Sequence, residues 1–215
     1  MFENLFGATD RGLLTEAIGE TCRMIEESER MFGAACGALL EGQDLVLDVV
    51  ESDENIDIGE RMVRRLLFQH IMINPDQDLP ASLALLSVVH DAERIGDYNK
   101  SLVYLSQWRT ASFPQNAQVQ SCREIRDMIS PLFGQALKAI QEGDAELARQ
   151  VMAHSSAVKE RTQHVQDALM QNADGGREDV VCANCAQYLR RISAHLSNIV
   201  SSVANPFDLL GQGAS

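Results

Sequence analysis

Apolar residues along this chain recur at spacings of three and four over six long stretches, separated by short polar or glycine-bearing breaks. That rhythm is helical throughout, and no stretch shows the strict alternation of a strand. The first predicted helix runs from about Thr9 or Asp10 to Leu40 and is closed by Gly42; the second runs from about Asp44 to Ile71, with Val46, Val49, Val50, Ile56, Val63, Leu67 and Ile71 inward, and ends at Asn74-Pro75. The third starts with Asp78 as N-cap and Pro80 in its first turn and reaches about Trp108. Ser112-Phe113-Pro114 breaks the pattern, and a fourth helix, about Gln115 to Gln141, contains Pro131, which predicts a kink. After Gly143 a fifth runs from Asp144 to about Gln171; Asp174-Gly175-Gly176 is a loop, and a sixth, about Glu178 to Ala204, stops at Pro206.

The layout repeats. Glu41-Gly42-Gln43-Asp44 and Glu142-Gly143-Asp144-Ala145 each mark a turn between helices, and Arg94-Ile95 and Arg191-Ile192 each fall midway along a third helix, an offset of about 100 residues. Long helices joined by short turns run antiparallel. The expected fold is therefore all-α: two tandem antiparallel three-helix bundles packed side by side, the first over residues 9–110 and the second over 114–205.

One stripe of the third helix is unusual. Leu83, Leu86, His90, Glu93, Asp97, Ser101 and Tyr104 keep the spacing of a core-facing row, yet two of them are acids. Carboxylates in such a row are costly unless a metal ion, an arginine or solvent meets them. Arg61, Arg64 and Arg94 are the candidate arginines; Arg61, Arg64 and Arg65 otherwise read as a solvated helix face. By position, Asp91 should point away from the acids into solvent, and Gly96 should serve close helix packing.

Composition narrows the classes. The chain has 215 residues, is 45% hydrophobic and carries a formal net charge of −13, which opposes binding to nucleic acid or an anionic membrane surface and suits cations or a basic protein partner. No apolar run approaches the roughly 20 residues of a membrane span, and Met1-Phe2-Glu3-Asn4-Leu5-Phe6 lacks the features of a signal peptide, so a cytoplasmic protein without direct membrane insertion is expected. The five cysteines, including Cys182-Ala183-Asn184-Cys185, read as small buried helix residues, because an odd count argues against a disulfide framework and the lone CxxC has no second ligand pair. Apolar residues near the ends (Phe2, Leu5, Phe6, Phe207, Leu209, Leu210) fit either a cap on the bundle or a homodimer contact.

Glu93-Arg94-Ile95-Gly96-Asp97, preceded by a helix carrying Asp53-Glu54-Asn55-Ile56-Asp57, resembles the PhoU family over about residues 10–205. The resemblance implies a non-enzymatic regulator of phosphate uptake and phosphate-responsive signalling that partners a phosphate transporter or a sensor histidine kinase. It also implies metal binding through paired acidic motifs. Carried over residue by residue, the metal ligands would be Asp53, Asp57, Glu93 and Asp97, with Glu60, His90 and Asn99 as candidates for supporting roles. Such an oxygen-rich set suits iron, manganese, zinc or magnesium. The second repeat departs from the pattern: Arg190-Arg191-Ile192-Ser193-Ala194 replaces the acidic motif, and His154 to Lys159 carries no carboxylate, so metal is expected in the first repeat only. Two alternatives are a carboxylate-bridged di-metal enzyme on a helical bundle, weakened by the absence of Glu-x-x-His spacing, and a metal-free structural interaction module.

Overall fold

The computed structural model describes residues 12–115, 117–172 and 175–204, and all of its regular structure is helical. The terminal apolar residues, the start of the first helix before Gly12 and Asp174 lie outside these residues. Helix α1 is Gly12–Cys36 and continues as a single π turn, Gly37–Glu41. It is followed by α2 (Val49–Ile73), α3 (Leu79–Ser106), a 3-10 turn (Phe113–Gln115), α4 (Ala117–Glu142), α5 (Ala145–Met170) and α6 (Arg177–Ala204). Helices α1–α3 pack as one bundle and α4–α6 as a second. The fold is thus two tandem antiparallel three-helix bundles.

The connections follow local chemistry. Gly42 and Gly143 adopt positive φ of 73° and 64°, conformations that close a helix and that residues with a Cβ adopt only at a cost. Asp48 and Asp144 cap α2 and α5, each accepting from two backbone N–H groups of the first turn. The second helix therefore begins at Asp48, not Asp44, and two residues expected inside are outside: Val46 is 94% and Val50 75% exposed. Asp78 precedes α3 but does not cap it. It takes φ 53°, and its carboxylate turns toward buried His70, 3.8 Å from Nε2. Helix α4 continues through Pro131, an exposed position.

Each bundle contributes its first and third helices to the other. α1 packs on α4 and α3 on α6, so α2 and α5 stand at opposite outer edges. One contiguous apolar core runs through both bundles, and Phe32 of α1 meets Phe133 of α4 at 5.3 Å between ring centroids. Between α3 and α6, Asp91 accepts from Asn198 at 2.9 Å and lies 2.6 Å from His195 Nδ1. Tyr98 stacks on His195 and accepts from Arg191 Nε at 3.0 Å. Asp91 is therefore an inter-bundle anchor and not a solvated residue. Its position two residues before Glu93 points it away from the acids, as spacing requires, but that side of α3 faces the second repeat.

All five cysteines are buried and free. Burial pushes the Cys36 thiol up to about 12, which leaves it without nucleophilic character at neutral pH.

Candidate functional site: an acidic seam between α2 and α3

The stripe that carries Glu93 and Asp97 is not the core row of its helix. Over residues 85–102 the buried positions of α3 are Leu85, Val88, Val89, Ala92, Ile95, Gly96, Asn99 and Leu102, one position around the helix. His90, Glu93, Asp97 and Ser101 occupy the neighbouring flank, partly exposed, where α3 meets α2. Asp53, Asp57 and Glu60 fall on the matching flank of α2 at spacings of four and three. Gly96 makes this approach close: a Cβ there would sit 3.1 Å from Ile56 Cδ1 and 3.5 Å from Asp53 Oδ1.

Basic side chains are threaded between the acids. Lys100 Nζ lies 2.7 Å from Asp53 Oδ2 and 3.0 Å from Asp97 Oδ1, joining one carboxylate from each helix. Arg94 Nη1 lies 3.0 Å from Asp97 Oδ2, and its Nε donates to His90 Nε2 at 3.0 Å. His90 Nδ1 in turn sits 3.2 Å from Glu60 Oε1, which Arg64 also holds at 2.8 Å. Asp57 is half-buried and makes no ion pair among the described residues. Asn99 is not part of this cluster: it is buried toward α1, where its amide donates to the Ser28 carbonyl at 2.9 Å. Arg61, the remaining candidate arginine, also lies outside it, while Lys100 was not among the expected partners. Its spacing of three from Asp97 on a helix was the available signal.

The electrostatics are uneven. Burial and the neighbouring Asp97 carboxylate raise the Glu93 carboxyl from its ordinary value despite Arg94 and His90 nearby, and its buried Oε2 accepts no hydrogen bond. Burial alone would raise Glu60 as well, but Arg64 and His90 override it and lower the group. Burial would lower Lys100, yet its bonds to Asp53 and Asp97 raise it, so the ammonium is firmly charged. For Glu93 the folded-state pKa exceeds the unfolded one, so its contribution to stability is present below the unfolded value of about 4.3 and is lost as pH rises through the folded value. Glu93→Gln should therefore raise the stability of the metal-free protein at pH 7 by up to about 1 kcal/mol and leave it unchanged at pH 4. Urea unfolding of both proteins in chelator at the two pH values reads this difference.

The cluster holds five carboxylates (Asp53, Asp57, Glu60, Glu93, Asp97) against three permanent cations (Arg64, Arg94, Lys100), a surplus of negative charge at a helix–helix seam. Its donors are hard oxygens, and Glu93 Oε2, 3.4 Å from His90 Nδ1 and 3.6 Å from Arg94 Nε, accepts no hydrogen bond, so the set fits a hard cation in its chemistry. Among the described residues no three acids, imidazoles or thiols already converge on one ion position. The Lys100 ammonium lies between Asp53 and Asp97 and supplies their shared counter-charge.

The second repeat fills the equivalent positions differently. Ser193 stands where Gly96 does and Ser155 where Asp53 does; their hydroxyls are 3.0 Å apart, and Ser155 Oγ donates to the Ser193 carbonyl at 3.1 Å. Lys159, Arg190 and Ala194 take the places of Asp57, Glu93 and Asp97.

The PhoU domain model matches the sequence twice, over residues 21–105 and 122–203. The chain belongs to the PhoU family. Both matches fall within the two repeats read from the helical pattern. The crystal structure of PhoU from Pseudomonas aeruginosa has the same fold, with a TM-score of 0.78 at 21% identity, covering 90% of this chain and 96% of that one. No curated protein sequence matches significantly. No helix among the described residues is long and apolar enough to cross a membrane.

Proposed function

We propose that this PhoU-family protein is a regulatory adaptor that restrains phosphate uptake, and that cation occupancy of the α2–α3 seam in its first repeat is one of its inputs. Family membership supports the phosphate-regulatory role, with a phosphate transporter or a sensor histidine kinase as the partner. The observation that carries the metal reading is Lys100. A single side-chain cation spans Asp53 on α2 and Asp97 on α3, and a hard metal ion would compete for that place. Asp53, Asp57, Glu93 and Asp97 would hold the ion, with Glu60 and His90 beside them. A bound divalent or trivalent ion would supply charge neutralisation and a cross-link between two helices. The residues themselves do the rest: Gly96 lets α2 and α3 approach, and Arg94 pins Asp97 and orients His90. The asymmetry between repeats supports a division of labour, with the ion in the first and a rigid scaffold in the second.

Cells lacking the protein should take up phosphate severalfold faster in phosphate-rich medium. Wild-type protein should restore the lower rate, and the Asp53→Asn/Asp97→Asn double variant, expressed at equal level, should not. Unchanged uptake on deletion would refute the regulatory reading. Full restoration by the double variant would refute the role of the seam.

A further inference from the structure

The outward face of α2, opposite its core row, carries Ile58, Arg61, Arg65, Phe68 and Met72 at successive spacings of three, four, three and four. Ile58 is 48%, Phe68 66% and Met72 67% exposed. Large apolar side chains at this level of exposure and at three-and-four spacing match the pattern by which one helix seats on another. Among the described residues neither Arg61 nor Arg65 makes an ion pair or a side-chain hydrogen bond, although the chain has thirteen more acidic than permanently basic residues. Toward the N-terminal end the same face continues through Glu54 and exposed Val50.

The internal repeat supplies a control. Helix α5 has the same place in the second bundle and an equally free outer face. In the register that sets Ser155 against Asp53 and Lys159 against Asp57, the positions of Ile58, Arg61, Arg65 and Phe68 carry Glu160, Gln163, Asp167 and Met170, all exposed. Two helices in equivalent environments thus differ: one presents an apolar–basic stripe to solvent, the other a polar and acidic one whose single large apolar residue, Met170, stands at the place of Phe68. Solvation alone does not require Ile58, Phe68 and Met72 on the first.

We infer that the outer face of α2 docks an amphipathic helix of a partner protein, with apolar side chains opposite Ile58, Phe68 and Met72 and acidic side chains opposite Arg61 and Arg65. The charge sets the partner class. A second copy of this chain offers no acidic stripe to this face: an antiparallel pairing of two α2 stripes centred on the seam sets Arg65 against Arg65. The two guanidiniums of the stripe fall short of the cluster of about four to eight Lys/Arg that holds an anionic membrane surface. An acidic helix instead satisfies both unpaired guanidiniums while covering the apolar residues. This surface lies on the opposite side of α2 from its core row and does not depend on metal occupancy of the seam.

The test uses the full chain and two synthetic helical peptides of about 20 residues, each with leucine at its contacting positions. One carries glutamate at the flanking positions and the other lysine. Fluorescence anisotropy should show the acidic peptide binding at least about tenfold more tightly than the basic one. Phe68→Ala should weaken the acidic peptide about tenfold or more, Arg61→Glu/Arg65→Glu should reverse the preference, and His164→Ala on α5 should change nothing. All substituted positions are exposed, and circular dichroism verifies that each variant is folded. Several results would overturn the proposal: no binding of the acidic peptide, equal binding of both peptides, or insensitivity to Phe68→Ala. Phe68-dependent binding to phosphatidylglycerol vesicles would assign the face to a membrane, and a dimer lost in Phe68→Ala during sedimentation would assign it to self-association.

Discussion

Phe133→Ala should lower the stability of the whole chain by about 3–5 kcal/mol, the usual cost of emptying a fully buried aromatic site. Phe133 belongs to α4 in the second repeat, has no exposed surface, and packs against Phe32 of α1 in the first. The core is continuous across both bundles, so the loss should not remain in the repeat that carries it. Trp108, the single tryptophan, lies just past the end of α3 in the first repeat and reports on that half. In urea, the Trp108 fluorescence transition and the helical circular dichroism transition should coincide in the wild type and move together to lower urea in Phe133→Ala. A Trp108 transition that stays in place while half of the helical signal shifts would mean two independently stable bundles, and would refute the shared core as the unit of folding.

Lys100→Met should turn the protein's response to metal into its largest stability change. Without metal, the variant loses the ammonium that bridges Asp53 and Asp97. All three side chains are partly solvated, so screening limits that loss to about 1 kcal/mol, or a Tm decrease of about 2–4 °C. With manganese at about a hundred times its Kd, binding to the folded state alone adds about 2.7 kcal/mol, which is roughly 5–10 °C in Tm. The wild type should gain less at the same metal concentration, because the ion must first displace Lys100. Differential scanning calorimetry with and without chelator measures both differences. If Lys100→Met gains no more than the wild type, the ammonium is not the competitor.

Much of this architecture can be read from sequence, for identifiable reasons. The turns at Gly42 and Gly143 are marked by residues that tolerate positive φ, and six runs of helical periodicity give six helices. Two mistakes also have physical explanations. Along α3 two adjacent rows both keep three-and-four spacing, one through Leu85, Val88, Ala92, Ile95 and Leu102 and the other through His90, Glu93 and Asp97. Periodicity alone does not distinguish them; the cost of burying charge does, and it assigns the aliphatic row to the core. At the start of α2, apolar Leu45 and Val46 invite an early helix, but the Asp48 carboxylate binds the free N–H groups of the first turn and fixes the start there.

The candidate site was legible in part. Spacing of four places Asp53 with Asp57 and Glu93 with Asp97 on single helix faces, and Arg64 and Arg94, both named as candidate partners, do contact acids in the folded chain. What spacing within one helix does not reveal is which face turns toward which neighbour. The contact of Asp91 with His195 and Asn198, 104 and 107 residues away, depends on how the two repeats pack. The Lys100 bridge to Asp53 likewise exists only because Gly96 brings α3 close to α2.

The central claim is that the seam between α2 and α3 takes a metal ion on its carboxylates. Its most direct test is to count manganese bound at saturation by electron paramagnetic resonance, on chelator-stripped wild type and on Asp53→Asn/Asp97→Asn. The account predicts saturable binding near stoichiometry in the wild type and its loss in the double variant, with both proteins equally helical by circular dichroism. Equal binding by the two, or none by either, would contradict it and leave these acids as the ion-paired flank of a metal-free adaptor.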